Sequence, residues 1–404
     1  MKILHVNFVY PIGSTGKIVQ EIVSCMGEEN SYVCYGRGKN VKSNITEKFC
    51  TEFEAKIHHM QNRLGGLQYG GFSFATKRLI KIISSNNPDI VHLHCLNGYC
   101  VNIYQLLEFL AKNNIKTVVT HHAEFYYTGS CSHAYDCNKW SSQAGCKKCP
   151  RWKMATCTLF VDNTSEAWLK MKMSFEKFKK TNLQFIAVSP WVKYRSLQSP
   201  LVNKFDCQVI LNGVNTNIFC WKDEISQFDG RIFKEDLVCL HVTASFDTKA
   251  DSLKGGRYVV ELAKRNPHIK FVVVATYIEL NECLPTNIII WGSAKTQFEL
   301  AALYRRANIT LITSRRETFS MIVAESLCCG TPVVGFKAGG PESIAIDNYC
   351  VFVDYNNVEK LSEVLNEQMK VTIDKQLISN DAIARYASPI MVNNYIEVYK
   401  KMLN

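Results

Sequence analysis

The chain has 404 residues, 47% of them hydrophobic and 21% charged, and carries a formal net charge of +11. That length favours two domains with sizeable cores, and the composition excludes disordered and fibrous classes. No apolar run approaches the roughly 20 residues that span a bilayer. The N-terminal run MKILHVNFVYPIG reads as a strand that meets Pro11 and Gly13, too short and interrupted for a signal peptide, which places the protein in the cytoplasm. Strand-like runs are expected at 2–9, 90–94, 117–120, 185–188, 238–243, 271–275, 287–290, 309–312 and 331–336. Most are near-continuous apolar stretches, as in parallel strands buried on both faces. Helical patterns lie between them, for example at 104–112 and 257–265. Alternating strands and helices predict doubly wound α/β layers. Turn signals at Ser189-Pro190, Ser199-Pro200 and Asn212-Gly213, then the polar stretch 223–234, divide the strands into two series. The expected organisation is an N-terminal Rossmann-like domain over 1–215, a ligand-binding domain over 216–385, and a C-terminal helix over 386–404 packing back toward the first domain. Ligands of such sheets bind beyond the carboxyl ends of the strands, so a cleft between two such domains is the expected site.

The chain contains 17 cysteines, most of them isolated and read as small buried hydrophobes in a reducing compartment. Cys131, Cys137, Cys146 and Cys149 are grouped. Their spacing leaves two readings open, a structural zinc site and a plain thiol cluster in a loop. The positive charge is also local. Residues 139–180 hold ten Lys or Arg against Asp162, Glu166 and Glu176. Within this basic, Cys-containing insertion at about 125–180, Asn163 and Glu166 suggest a capping box. Trp168, Met171, Phe175 and Phe178 form an apolar stripe flanked by Lys177, Lys179 and Lys180. Such a stripe suits a core, and with its lysines it also suits contact with an anionic membrane surface.

The most informative stretch is RRETFSMIVAESLCCGTPVVGFKAGG, residues 315–340. A helix over 318–329 is expected, with Thr318 as N-cap and Gly330 and Pro332 ending it. Glu317 and Glu325 then stand about 12 Å apart along the backbone. Paired glycosidase carboxylates stand within about 5 to 9.5 Å, so these two suit the ends of one elongated ligand. Backbone N–H groups near Phe319 and Ser320 offer an anion site between them. Hydroxyls at both ends and phosphate between them describe a nucleotide-sugar.

Residues 304–344, with E-x7-E from Glu317 to Glu325 followed by C-G-T-P-V-V and G-G-P-E, resemble the donor-binding region of the retaining GT-B glycosyltransferases of family 4. The resemblance implies a GT-B fold, with two Rossmann-like domains facing across a cleft. It gives Glu317 the donor sugar and Glu325 the ribose, with Thr318, Phe319 and Ser320 lining the donor site. Lys254, in Asp251-Ser252-Leu253-Lys254-Gly255-Gly256, matches the family's Lys-Gly and would neutralise the leaving diphosphate. Where the family has an arginine, this chain has Ala244-Ser245, and Lys249 is the candidate substitute. Gly16, in Gly13-Ser14-Thr15-Gly16-Lys17, corresponds to a loop that brings backbone near the donor phosphates. Thr120-His121-His122-Ala123 is similar to the T-x-H-D of bacterial polysaccharide-assembly transferases of O-antigen and colanic-acid type. This places His122 near the donor sugar, and with Ala123 where the family has an aspartate, the role of that carboxylate is either lost or moved, with Glu124 as the candidate.

The resemblance implies a hexosyltransferase using a UDP- or GDP-sugar, with catalytic roles for Glu317, Lys254 and His122. The acceptor it implies is a lipid-diphosphate-linked oligosaccharide at the inner face of the plasma membrane. No Asp-x-Asp motif is present, so no catalytic metal or other cofactor is expected. Two alternatives remain: a nucleotide-sugar epimerase of GT-B architecture, and a nucleic-acid-binding protein using the basic cysteine-containing stretch. The second leaves the donor-like segment unexplained, so no nucleic-acid partner is expected.

Overall fold

The computed structural model describes residues 1–71, 74–223 and 230–404, so part of the expected irregular stretch at 223–234 lies outside the described residues. Two compact units divide the chain, Met1–Leu211 with Met391–Asn404, and Asn212–Ile390. The first holds β1 (Ile3–Val9), β2 (Ser31–Arg37), β3 (Thr46–Lys48), β4 (Ile90–Leu93), β5 (Lys116–His121), β6 (Leu183–Ala187) and β7 (Cys207–Val209). They form one sheet in the order β3-β2-β1-β4-β5-β6-β7, with every neighbouring pair parallel. The second holds β8 (Leu237–Asp247), β9 (Ile269–Glu279), β10 (Ile288–Gly292), β11 (Ile309–Ile312), β12 (Val333–Phe336) and β13 (Cys350–Val353). Its order is β10-β9-β8-β11-β12-β13, again parallel.

The buried strands are built from β-branched and aromatic residues, which fit a pleated surface covered on both faces. Ile3, Leu4, Val6, Ile90, Val91 and Leu93 are fully buried in the first unit, as are Cys239, Leu240, Phe271, Val272 and Val333 in the second. Side chains fix where several helices start. Thr51 and Glu54 form a capping box on Glu52–Gly65, and Asn102 accepts from the Gln105 N–H at the head of Ile103–Lys112. Ser189 caps Pro190–Leu197, so Ser189-Pro190 opens a helix where a turn was expected, proline at N1 losing no hydrogen bond.

The strand β8 runs to Asp247, beyond the expected end near residue 243, because Ser245, Phe246 and Asp247 continue to pair with Tyr277, Ile278 and Glu279. Ala244 and Ser245 are therefore strand residues. The capping box expected at Asn163 is absent. Asp162 accepts from the Thr164 N–H (3.1 Å) and hydroxyl (2.6 Å), while Glu166 pairs with Lys170 at 2.8 Å. Trp168, Met171, Phe175 and Phe178 are buried, so the stripe is core and not a membrane-facing surface. The last helix, Ser388–Leu403, places Tyr395 and Tyr399 in the first unit's core, where their hydroxyls meet Thr120 Oγ1 at 3.2 Å and His92 Nδ1 at 2.6 Å.

Candidate active site

In the second unit two loops converge. The Arg315 N–H donates to the Leu253 carbonyl (2.9 Å), and the Thr313 hydroxyl donates to the Lys254 carbonyl (2.8 Å). These bonds set residues 313–317 beside residues 253–255. Gly255 sits at φ +69, and a Cβ there would lie 2.3 Å from the Thr313 carbonyl oxygen. Only glycine allows both the left-handed backbone and this approach. Lys254 Nζ meets Glu317 Oε1 at 2.6 Å in a partly exposed ion pair. Two expected site residues that stand 63 positions apart are thereby in direct contact.

Glu317 is held in extended backbone. Its N–H donates to the Ala338 carbonyl at 3.0 Å, its carbonyl accepts from the Gly340 N–H at 2.8 Å, and it forms a bridge with Gly339. A Cβ at Gly340 would lie 2.5 Å from the Phe319 nitrogen, so the Gly-Gly pair lets the two backbones touch. Glu342 closes the turn by accepting from the Ala338 and Gly339 N–H groups at 2.9 and 2.8 Å. This tethering corrects the expected helix start. The helix is Met321–Cys328, and Ser320, not Thr318, is its N-cap, at φ +79 and ψ +88. A serine in this region costs of order 1–3 kcal/mol, and such strain collects at functional sites. Thr318 is partly exposed and Phe319 is buried in the link between Glu317 and the helix. On the helix, Glu325 is half-buried, and its Oε2 accepts from the buried Tyr304 hydroxyl at 3.2 Å. The Tyr304 contact had no signal in the sequence.

Other expected residues have different outcomes. Lys249 is exposed and paired with Glu279. Arg315 and Arg316, which the sequence reading left without a role, bring two cations next to Glu317 along the chain.

Gly16 and His122 belong to the first unit. Gly16 is buried in the first turns of Gly13–Met26, close under the Val9 carbonyl. His122 follows β5, and its Nε2 stands 3.2 Å from His94 Nδ1. Glu124, the candidate for the missing aspartate, is already engaged by neighbouring groups. It is fully buried, with Oε1 accepting from Arg195 Nε (2.8 Å) and the Tyr127 hydroxyl (2.9 Å) and Oε2 from the Ala134 N–H (2.7 Å). All of these contacts are structural.

The four grouped cysteines lie on neighbouring loops as free thiols. The Thr128 hydroxyl donates to the Cys131 carbonyl at 2.9 Å, and the Thr128 carbonyl accepts from Cys146 Sγ at 3.9 Å. Burial pushes the Cys146 thiol up to about 12, and the neighbouring Cys137 and Cys149 add to the rise. Among the described residues, the one group of three or more His, Cys, Asp or Glu with ligand atoms within 4.8 Å of one another is His5, His92 and His94. The four thiols do not form such a group.

Two parallel α/β sheets, with a Lys-Gly turn and a glutamate-bearing segment at the ends of β8 and β11, define the GT-B fold. Comparison with known proteins supports that class. Residues 252–385 match the family described as glycosyl transferases group 1. A protein of Escherichia coli described as the colanic acid biosynthesis glycosyl transferase WcaC is 20% identical over 393 residues, covering 92% of each chain. A 41.2 kDa protein of the cps region of Klebsiella pneumoniae is 19% identical, over 89% of this chain and 95% of its own. The crystal structure of Anabaena Alr3699/HepE in complex with UDP superposes with a TM-score of 0.68 at 15% identity, over 99% of this chain and 100% of that one.

Proposed function

We propose that this chain is a retaining glycosyltransferase that moves a sugar from a nucleotide-sugar to a growing bacterial surface polysaccharide. The observation that carries the reading is the 2.6 Å contact between Lys254 and Glu317, inside the segment that matches the glycosyl transferase family. WcaC's described role supports a polysaccharide product, and the UDP complex of Alr3699/HepE supports a nucleotide-sugar donor.

In this reading Glu325 binds the ribose and Glu317 the sugar hydroxyls. The diphosphate lies over the Gly255 turn and the start of the Met321–Cys328 helix, where backbone N–H groups favour an anion. An acceptor hydroxyl oxygen forms a bond to the anomeric carbon as the bond from that carbon to the diphosphate oxygen breaks. The departing oxygen takes the electron pair and then the acceptor's proton, on the same face of the sugar. Lys254 leaves its ion pair with Glu317 to neutralise the charge that develops on the diphosphate. The pair is easily parted because partly exposed ion pairs contribute only about 0–1 kcal/mol.

Thermal shift against a panel of nucleoside diphosphates and nucleotide-sugars tests the site. One base is expected to raise Tm clearly in the wild type, and Glu325→Ala to remove most of that rise while remaining folded. No rise with any nucleotide would count against a donor site.

The acceptor is a lipid-diphosphate-linked oligosaccharide, and the protein works on the cytoplasmic membrane surface. Support comes from Met154 and Phe160, 68% and 72% exposed within the basic stretch 139–180, where apolar side chains and lysines together suit an anionic bilayer. No helix among the described residues is long and apolar enough to cross a membrane. Vesicles of anionic lipid are expected to carry the wild type upward in a density gradient. Met154→Ser with Phe160→Ser is expected to cut the bound fraction at least about threefold, as burial of such side chains contributes about 1.5–3 kcal/mol each. Equal flotation of both proteins would remove the patch from the reading.

A further inference from the structure

The helix Glu52–Gly65 has its faces reversed. Its buried residues are Ala55, His58 and Asn62. Phe53, Met60 and Leu64 are 72%, 57% and 54% exposed, and Ile57 is half-buried. These four fall at i, i+4, i+7 and i+11, one apolar stripe along the outer side of the helix. At its carboxyl end the stripe runs on into the loop that carries Phe160, because the Leu159 N–H donates to the Arg63 carbonyl at 2.9 Å. At its amino end the stripe borders a cavity of about 290 Å³. Phe53 and Ile57 line it together with Phe74 and Ala75 from the helix Phe74–Asn86, and with Tyr99 and Cys100 from the loop after β4. Gly36, one residue before the end of β2, packs against Cys100 with no room for a Cβ. The cavity therefore lies beside the carboxyl ends of β2 and β4, the edge of such a sheet where ligands bind.

The chemistry of the wall selects the occupant. Among the described residues, its polar groups are already engaged. The Cys50 thiol donates to the Thr51 carbonyl at 3.3 Å, and Glu54 accepts from the Thr51 N–H at 2.8 Å and pairs with Arg78. His58 Nε2 accepts from the Gly71 N–H at 3.1 Å, and the Tyr99 hydroxyl lies among the Asn62, Gln68 and Cys157 side chains. Little is left for a polar guest, or for water, which needs two to four polar partners. An apolar cavity of about 150 Å³ takes up one benzene, so about 290 Å³ holds a chain of roughly ten to twelve carbons. Charge decides what that chain is attached to. Lys56 and Arg63 are exposed beside the stripe, and Lys77 Nζ stands 6.0 Å from the Phe74 ring centroid. The neighbouring acids are taken, Glu52 by Arg37 and Lys48, and Glu54 by Arg78. Two such surfaces would repel each other across a two-fold axis, whereas an anionic lipid head is drawn to one.

We propose that this cavity holds the hydrocarbon chain of a single lipid with an anionic head, the diphosphate lipid that carries the acceptor, which enters from the bilayer along the Phe53–Leu64 stripe. Assigning that lipid to the acceptor rests on the transferase reading above, whereas the apolar slot and its cationic rim do not. The seated chain covers Phe53 and Phe74, two large apolar side chains that are otherwise 72% and 59% exposed at the mouth.

Isothermal titration of the full chain with geranyl diphosphate, a ten-carbon isoprenoid chain on a diphosphate, tests the slot without any nucleotide. Binding of one equivalent is expected, at least about tenfold tighter than for isopentenyl diphosphate, whose chain is half as long. Ala75→Leu fills the slot from within. Ile57→Trp, at a half-buried position, narrows its mouth and is the second variant should Ala75→Leu fold poorly. Each is expected to weaken binding at least about tenfold, as when about two methylenes stay in water. Both are expected to float on anionic vesicles that hold no isoprenoid as well as the wild type does. Equal affinity for the two diphosphates, or unchanged binding in both folded variants, would overturn the slot. So would a loss of flotation that matches the loss of binding, which would make ordinary bilayer lipid the occupant. A dimer in sedimentation that geranyl diphosphate dissociates would overturn it too, by making a second copy the occupant. Cavity-dependent binding in a protein that transfers no sugar from any nucleotide-sugar would overturn the link to the acceptor alone.

Discussion

Lys254→Ala is expected to lower kcat for sugar transfer about 10²–10³-fold, the usual loss when one preorganised electrostatic partner of a developing charge is removed. The loss belongs in kcat because the diphosphate gains charge only as the glycosidic bond breaks. Glu317→Ala is expected to fall in the same range. The double variant is expected to lose much less than the product of the two, because the side chains stand 2.6 Å apart and act on adjacent parts of one ligand. Stability is expected to change by no more than about 1 kcal/mol in Lys254→Ala, since the pair is partly exposed and screened. Steady-state release of nucleoside diphosphate in the presence of acceptor, with a thermal melt of each variant, checks both halves. A Lys254→Ala enzyme with unchanged kcat and a raised KM would reduce Lys254 to a binding cation and sink its part in bond cleavage. Rapid turnover of the donor with no acceptor present would favour the epimerase alternative.

The strands and residues recovered from sequence are those whose signal is local. The apolar runs of β1, β4, β6 and β9 announce themselves because parallel strands are buried on both faces. The strand β2, Ser-Tyr-Val-Cys-Tyr-Gly-Arg, does not, since it mixes polar and aromatic residues and its Gly36 packs closely against Cys100 from another part of the chain. Three-residue strands such as β3 and β7 are held by their neighbours and leave almost no pattern. The same division runs through the site. Glu317, Glu325 and Lys254 sit in short motifs, but the helix start was misread because the bonds from Glu317 to Ala338 and Gly340 override the capping tendency of Thr318. The engagement of Glu124 stayed hidden for the complementary reason. Its partner Arg195 lies 71 residues away, and nothing near Glu124 in the chain shows that it is buried. The contacts of His94 with His5 and with His122 span separations of 89 and 28 residues and exist only through the β1-β4-β5 strand order.

Those histidines also set the protein's response to acid. Stability is expected to fall steeply as pH drops below about 6.5, before carboxylates contribute. Burial depresses His5, His121 and His122 to about 3, and holds His92 and His94 well below the usual value. A histidine whose folded pKa is depressed is neutral in the fold while the unfolded chain, near 6.5, takes up a proton. Its stabilising contribution is therefore whole above pH 6.5 and is lost progressively as pH falls toward 3. Each such group adds up to about 1.4 kcal/mol per pH unit, so three give about 4. Domains are stable by about 5–15 kcal/mol, so unfolding is expected between pH 5 and 4. Glu52, held down to about 2 chiefly by the Gly38 N–H, adds its own loss only as pH falls from 4.5 toward that value. The second unit has one comparable group, His241, lowered to about 4, while His268 is exposed. Acid is therefore expected to open the first unit ahead of the second. Urea melts at pH 7, 6 and 5, with hydrogen exchange resolving the two units, measure this. Equal stability at pH 7 and 5, or earlier opening of the second unit, would show that the buried imidazoles accept protons without unfolding and that the histidine cluster is more open to water than its packing implies.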